Sequence, residues 1–432
     1  MRLVDAVSAQ ALEGSRPADS LTVWAWRGDS LALAEPLDVV DWSFEDQSGD
    51  NVKVSQRVSL TVADPDGRLG AWRLDDPLSV TGTRLQIIYN VGGAGAVNYG
   101  WFRVTGNEPD EVVDWRHVAE YGLVEPDSLT PAHERLKPFV SAVVKLEAVD
   151  LTADVDRDRF EAPESPSSGA TVLSETRRLL SPYFPVVVDP GVSDVGVSTQ
   201  LVFERERLEA CQDLLGRVSA RYRMGGDGEC HVYPRATSSV FRVGPNAGLV
   251  RVQRKQSIDG LYNRWVVEGK EEGSGNPVRA AVNIDSGPLR YGGPHGKFPT
   301  FYSSEMITST AAAVLYAQEL KAKFLASLAL ELSVECVPRP ELQAGDRIEV
   351  GCPVAAGHVA YIPAEISSIR RAGTTVPGTT TLTVVCAYGD VIAALDRTEW
   401  AEHLTGELPP LTWDRMPATW GTGPSMPWDD LP

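Results

Sequence analysis

Hydrophobic and polar residues alternate with period two through much of this chain. In the first third, LTVWAW from Leu21, DVVDWSFED from Asp38, VSLTVAD from Val58, RLQIIYNV from Arg84 and VNYGWFRVTG from Val97 all follow that pattern. Successive side chains of an extended segment point to opposite faces, so each run predicts a strand with one buried face. Turn-forming clusters punctuate them: Gly28 with Asp29, Ser48 to Asp50, Pro65 to Gly67, Gly92 with Gly93, and Asn107 with Pro109. A further strand, VSAVVKLEAVDL from Val140, completes the group. Closely spaced strands with such turns predict a small sandwich or barrel over residues 1–160.

Near residue 160 the composition changes. RFEAPESPSSG from Arg159 has little to bury and reads as a linker or surface loop. The period then becomes helical. ATVLSETRRLL from Ala170 sets Val172, Leu173, Thr176, Leu179 and Leu180 on one face, and ERERLEACQDLLGRVSARY from Glu204 aligns Leu208, Cys211, Leu214, Leu215, Val218 and Tyr222. RMGGDGECHVYPRA follows, two short runs about Gly225 to Gly228, a hairpin signal. Residues 161–245 therefore predict a compact α+β insertion, a helix-hairpin middle domain.

Strands return from Val250, with RWVVEG, VRAAVNID, a Gly and Pro rich loop from Ser286, and an Ala and Leu rich helix from about Thr308 to Leu328. Residues 246–398 predict a second β-module containing that helix. Residues 399–432 are an extended tail, in which Trp413, Trp420 and Trp428 are spaced among prolines. Too short to fold alone and too aromatic for an ordinary disordered tail, it reads as a docking segment whose tryptophans need a partner surface.

One short pattern occurs twice. GTRLQI from Gly82 returns as GDRIEV from Gly345, preceded by Leu78 in one copy and Leu342 in the other. Each copy lies between alternating runs, VSLTVAD and WFRVTG in the first, LELSVECV and AYIPAEISS in the second. The echo predicts one β-module used twice. The fold class is thus mainly β with an α+β insertion: two related β-barrel, tube-like modules, a helix-hairpin middle and an extended tail.

Composition narrows the function. The formal charge of −19 disfavours any grip on phosphate through basic patches, although an acidic wall suits a conduit that DNA crosses without sticking. Gln318, Glu319, Lys321 and Lys323 in the long helix argue against a membrane span, and the amino-terminal stretch does not read as a secretory signal. Five cysteines, Cys211, Cys230, Cys336, Cys352 and Cys386, form no CxxC pair and predict small buried thiols.

Catalytic signatures are missing. HExxH, GxSxG and a P-loop are absent, and the six histidines are scattered singly. DVDRD alternates Asp154, Asp156 and Asp158 as a calcium loop does, but Arg159 stands where the bend needs glycine and Ser165 where the loop needs glutamate. DPDG at Asp64 reads as a β-turn. Trp24, Trp26, Trp42, Trp72 and Trp101 could stack on sugars, though aromatic residues in alternating strands are usually core. No catalysis, cofactor or metal is expected.

Three segments carry a resemblance: LVFERERLEACQDLLGRVSARYRMGGDGECHVYP from Leu201, YNRWVVEGKEEGSGNPVRAAVNIDSGP from Tyr262, and VPRPELQAGDRIEV from Val337. With the order of parts, they resemble the tail hub or baseplate hub proteins of tailed bacteriophages, the hub-type minor tail proteins of actinobacteriophages in particular. The likeness spans about residues 20–395, and the Trp and Pro rich tail is similar to tails in that group. The resemblance implies a structural homotrimer at the virion tail tip of a siphophage, made in the host cytoplasm, in which two barrels per chain form a pseudo-sixfold ring. Its implied partners are a distal tail protein or tail-tube ring, the tape measure protein C-terminus, other tail-tip or receptor-binding proteins, and DNA in transit during genome ejection. The alternatives are a carbohydrate-binding or cell-wall-degrading tail protein and a sixfold distal tail protein.

Overall fold

The computed structural model describes residues 1–2, 12, 19–92, 95–125, 128–256, 258, 260–271, 276–355, 358–373 and 379–396, with the backbone alone over 113–141 and at 355 and 396. Trp413, Trp420 and Trp428 lie outside the described residues. The chain is mainly β, and its sheets are largely antiparallel.

Strands β1 (Ser20–Arg27), β2 (Ser30–Leu31), β3 (Val39–Gln47), β4 (Gln56–Asp64), β5 (Thr83–Val91), β6 (Gly95–Glu125) and β7 (Ser128–Asp150) are followed by helix α1 (Thr152–Arg157). Alternation does what the sequence predicts. In β5, Leu85, Ile87, Tyr89 and Val91 all point inward, joining Val58, Leu60 and Val62 of β4 and Val144 and Leu146 of β7 in one core. The Leu37 amide donates to the Val23 carbonyl on β1 and the Ala63 amide of β4 to that of Asp38, so the chain entering β3 ties the two ends of the sheet together.

The turn signals at Asn107 and Pro109 do not end a strand, as the sequence suggested. β6 and β7 stay in register from Phe102↔Asp150 to Glu125↔Ser128, with Pro109 opposite Val144. Past Arg103, β6 has lost its other neighbour β5, and a proline is tolerated where one edge is open. DPDG is the expected turn, with Gly67 at φ 65° and the Asp64 carboxylate accepting from the Arg68 and Leu69 amides.

The insertion contains α2 (Val172–Leu180), β8 (Val186–Val188), α3 (Arg207–Gly216), β9 (Ala220–Met224) and β10 (Cys230–Pro234). A capping box closes the start of α2, Thr171 accepting from the Ser174 amide and Ser174 from the Thr171 amide. Leu208, Cys211, Leu214 and Leu215 bury one face of α3 as read, but the helix stops at Gly216 and Tyr222 belongs to β9. The break passes through Ser219 at φ 52°, a conformation that reverses the chain. The Arg159–Gly169 stretch is a surface loop fastened by Phe160, which is buried and stacked on Phe203.

Then come β11 (Phe241–Val243), β12 (Leu249–Lys255), β13 (Arg264–Lys270), β14 (Pro277–Asn283), β15 (Pro299–Ser303), α4 (Thr310–Ser327), β16 (Ala329–Cys336), β17 (Arg347–Ala355), β18 (His358–Gly373), β19 (Thr380–Ala387) and α5 (Tyr388–Asp396). The long helix α4 packs on β13 and β14 around Trp265, Val267, Ala313 and Ala317, a core distinct from that of the repeated strands.

The duplication is visible in topology. β3-β4-β7-β6-β5 and β12-β16-β19-β18-β17 are neighbours in the same order with the same antiparallel pairings. Irregularities coincide as well. A bulge between Val39 and Asp41 matches one between Leu249 and Arg251, and a bulge between Val104 and Gly106 matches one between Ile366 and Ser368. A bulge re-aims every residue beyond it, so coincident bulges mark equivalent strands rather than generic ones. Gly82 and Gly345 both have positive φ, 97° and 87°, and Leu85 and Ile348 are both fully buried. The copies are fused into one sheet by β18 against β3, from Ser368↔Gln47 to Gly373↔Trp42.

Candidate functional site at the seam of the modules

The fused edge brings charge into the interior. Arg371 on β18 lies opposite Phe44 on β3, and its guanidinium donates to the carbonyls of Arg339 and Leu342 while resting 5.5 Å from the ring centroids of Phe44 and Tyr99. Arg2 approaches the same two rings from 5.5 and 4.6 Å and donates to the carbonyls of Pro340 and Leu342. Asp46, also buried, supplies the counter-charge 3.9 Å from Arg2 and accepts from the Ala344 amide. Burial, with Arg371 adding repulsion, pushes the Arg2 guanidinium down to about 10, and burial outweighs the nearby arginines to raise the Asp46 carboxyl. On the exposed side of the joint, Arg370 donates to Glu45 at 3.1 Å.

The insertion is buttoned across this joint. Arg221 of β9 reaches Asp50 and Ser48 of the first module and Glu365 of the second, and Arg223 lies 3.3 Å from Asp346. Lys53 pairs with Glu206 at the foot of α3. Between these elements runs a groove of about 470 Å³ lined by Asp50, Lys53, Gln212, Arg221, Arg223 and Arg235 among others. Arg221 and Arg235 face Asp50 across it, Arg221 also faces Glu365, and Arg223 faces Asp346, so charge pairs tie the insertion to both modules.

The β9–β10 hairpin is seated separately. Its turn leans on β6, where a side chain on Gly226 would strike the Asn98 carbonyl and one on Gly228 would strike Trp101. His231 sits beside it with Nδ1 3.0 Å from Asp189 and Nε2 3.0 Å from Asp227. Burial pulls the imidazole pKa down, but the two carboxylates more than offset it and the net shift is upward. Asp227, Glu229 and His231 lie close enough together to hold an ion. Both ring nitrogens are already engaged, so the arrangement is a latch from β10 to the strand end at Asp189. Sequence spacing gave no sign of this, because Asp189 is brought in by the parallel β8–β10 pairing.

Asp154 of the DVDRD run lies in α1, not in an ion-binding loop, and faces Arg103 at 3.5 Å and Arg84 at 3.9 Å. Asp158 accepts from Tyr183 and Arg207 approaches it at 3.5 Å. All five cysteines are buried free thiols as expected, and burial pushes Cys211, Cys336 and Cys386 up to about 12. The expectation for tryptophan holds for Trp42, which packs against the first core, and for Trp101, which packs against that of the insertion, but not for the others. Val23 and Ala25 fill the core, while Trp24 and Trp26 take the outer face, where Trp26 packs 5.5 Å from Trp101 beneath the insertion. Trp72 is 83% exposed and stands apart from them. Among the described helices none is long and apolar enough to cross a membrane.

No protein-family model and no curated protein sequence matches this chain. Solved structures do. A tail protein from Neisseria meningitidis is similar with a TM-score of 0.52 at 13% identity, over 86% of this chain and 97% of that one. A 43 kDa tail protein of prophage MuSo2 from Shewanella oneidensis gives 0.48 at 11% identity, over 85% and 98%. A prophage tail protein from Listeria monocytogenes gives 0.43 at 12% identity, over 88% and 98%. The fold of the chain is therefore that of the Neisseria tail protein, along nearly all of that protein's length.

Proposed function

We propose that this chain is a structural hub at the tail tip of a tailed bacteriophage, without catalytic activity. The observation that carries the reading is the duplication. A chain that holds two copies of one five-stranded module can present six similar modules from three copies, so a threefold tip can meet a sixfold tube. The tail-protein fold supports the same reading.

In this reading residues 1–160 and 246–398 are the two ring modules, 161–245 is a brace across them, and 399–432 is a docking tail. The ring accepts a distal tail protein or tail-tube ring on one side and other tip or receptor-binding proteins on the other. The tape measure protein C-terminus occupies its channel until genome ejection, when DNA passes. A charge of −19 suits such a channel, because like charge repels the phosphate backbone. The work is done in the virion, after synthesis in the host cytoplasm.

The test is the mass of the purified chain in solution by light scattering. Three subunits of 46.8 kDa are expected in the particle. A sixfold particle would transfer the chain to the distal tail role, and turnover of host cell wall would replace the structural reading with an enzymatic one.

A further inference from the structure

We propose that the ring closes by strand pairing between copies of this chain, the β6 edge over residues 106–111 of one copy lying antiparallel against β12 (Leu249–Lys255) of the next. This rests on the ring reading above and names the surface through which it would close.

The internal joint is the template. Each repeat offers an edge on its fourth strand, just past the matching bulge, and an edge on its first strand. Within the chain only one such combination is used, β18 beyond Ser368 against β3. The equivalent edges are β6 beyond Gly106 and β12, and among the described residues neither is paired to any strand on that side.

Equivalence follows from the shared registers. Arg84↔Arg103 matches Arg347↔Glu365, and the bulges that follow set Gly106 with Ser368 and Glu108 with Arg370. On the other strand, Trp42↔Leu60 and Phe44↔Val58 match Val252↔Val334 and Arg254↔Leu332, which sets Glu45 with Lys255. Arg370 faces Glu45 in the internal joint. Transferred to two copies, Glu108 faces Lys255, Asp110 faces Gln253 and Glu111 faces Val252.

Charge agrees with that register. Glu108, Asp110 and Glu111 are exposed along one edge, and Arg251, Arg254 and Lys255 are exposed along the other, in a chain whose overall balance is −19. None of the six makes an ion pair among the described residues. Opposite charges directly across a strand pair stabilise it and like charges oppose it. The sign is also reversed between the joints, Arg370 to Glu45 inside and Glu108 to Lys255 between copies. An acidic β6 edge brought against β3 would set Glu108 on Glu45, so the two joints do not exchange partners. Pro109 withholds one backbone donor, which blunts the edge against indiscriminate strand addition.

The test is disulfide trapping of the full chain. Glu108→Cys and Lys255→Cys change exposed residues, and the five native thiols are buried, so oxidation reports the introduced pair. The double variant is expected to give a covalent trimer on a non-reducing gel, and an equal mixture of the two single variants a covalent dimer. In parallel, Glu108→Lys is expected to weaken the trimer about tenfold over its three joints, with Lys255→Glu restoring it. A trimer by light scattering with no disulfide between 108 and 255 and no charge-swap rescue would overturn the joint and leave the ring standing. A covalent particle of six would keep the joint and overturn the threefold count. A chain that stays monomeric and uncrosslinked at every concentration would overturn the joint together with the unaided ring.

Discussion

Arg347 on β17 donates to Asp390 at 2.7 Å, and Asp390 is the third residue of α5, the helix that follows β19. The first module repeats the relationship: Arg84 on β5 approaches Asp154, the third residue of α1, the helix that follows β7. The duplication therefore extends past the strands to a helix that caps each module and to the ion pair that holds it. Both acids stand in a first helical turn, where negative charge is favoured.

These pairs are partly exposed, so each is worth little alone. Arg347→Ala and Asp390→Ala are each expected to lower stability by about 0.5–1 kcal/mol, with most of the loss shared in a double-mutant cycle. Urea denaturation checks it. The looser Arg84 and Asp154 contact should couple more weakly, with Arg103 taking over the charge.

The buried cluster at the joint behaves differently. Asp46→Ala leaves Arg2 and Arg371 in the interior without their counter-charge, and about 3–5 kcal/mol of stability should be lost. Adding Arg371→Met removes one of the stranded cations, so the double variant should be more stable than the Asp46→Ala single. Additive losses in the same denaturation assay would mean that the cluster does not act as a unit.

His231 makes stability fall with rising pH. Its folded pKa is raised above the ordinary imidazole value of about 6.5, so the carboxylate latch contributes fully below that value and is lost as pH rises through the folded pKa. His231→Gln should flatten this slope. Hydrogen-exchange protection of the Gly225–Gly228 turn, taken relative to the intrinsic base-catalysed rate, should fall over the same interval in the native chain and be independent of pH in the variant.

The two equivalent glycines should respond unequally. Gly82→Ala meets only the cost of a positive φ, about 1 kcal/mol, since nothing stands within 4 Å of the new methyl. Gly345→Ala meets the same cost, and its Cβ would also come 2.7 Å from the Tyr233 hydroxyl and 3.0 Å from that of Ser48. It should be the more destabilising by thermal melting and should loosen the insertion from the second module.

Deletion of residues 408–432, with Trp413, Trp420 and Trp428, is expected to leave the folded oligomer intact and to block virion assembly or receptor-binding protein attachment. Normal tails from the deletion would remove the docking role of this segment.

The sequence by itself determined the strands and the repeat. Alternation over VSLTVAD or RLQIIYNV is a local property, fixed by which side chains leave water, and GTRLQI returning as GDRIEV marks the glycine bend that both modules need. It misread elements whose ends depend on remote partners: β6 continues through Asn107 and Pro109 because β7 pairs with it, and α3 stops short of Tyr222 because β10 claims that residue. Tertiary structure alone decided the fusion of the modules, the burial of Arg2, Asp46 and Arg371, the seat of the insertion on Arg221, and the carboxylates around His231. Each joins residues far apart in the chain, and no local periodicity encodes which distant edge or charge a strand will meet.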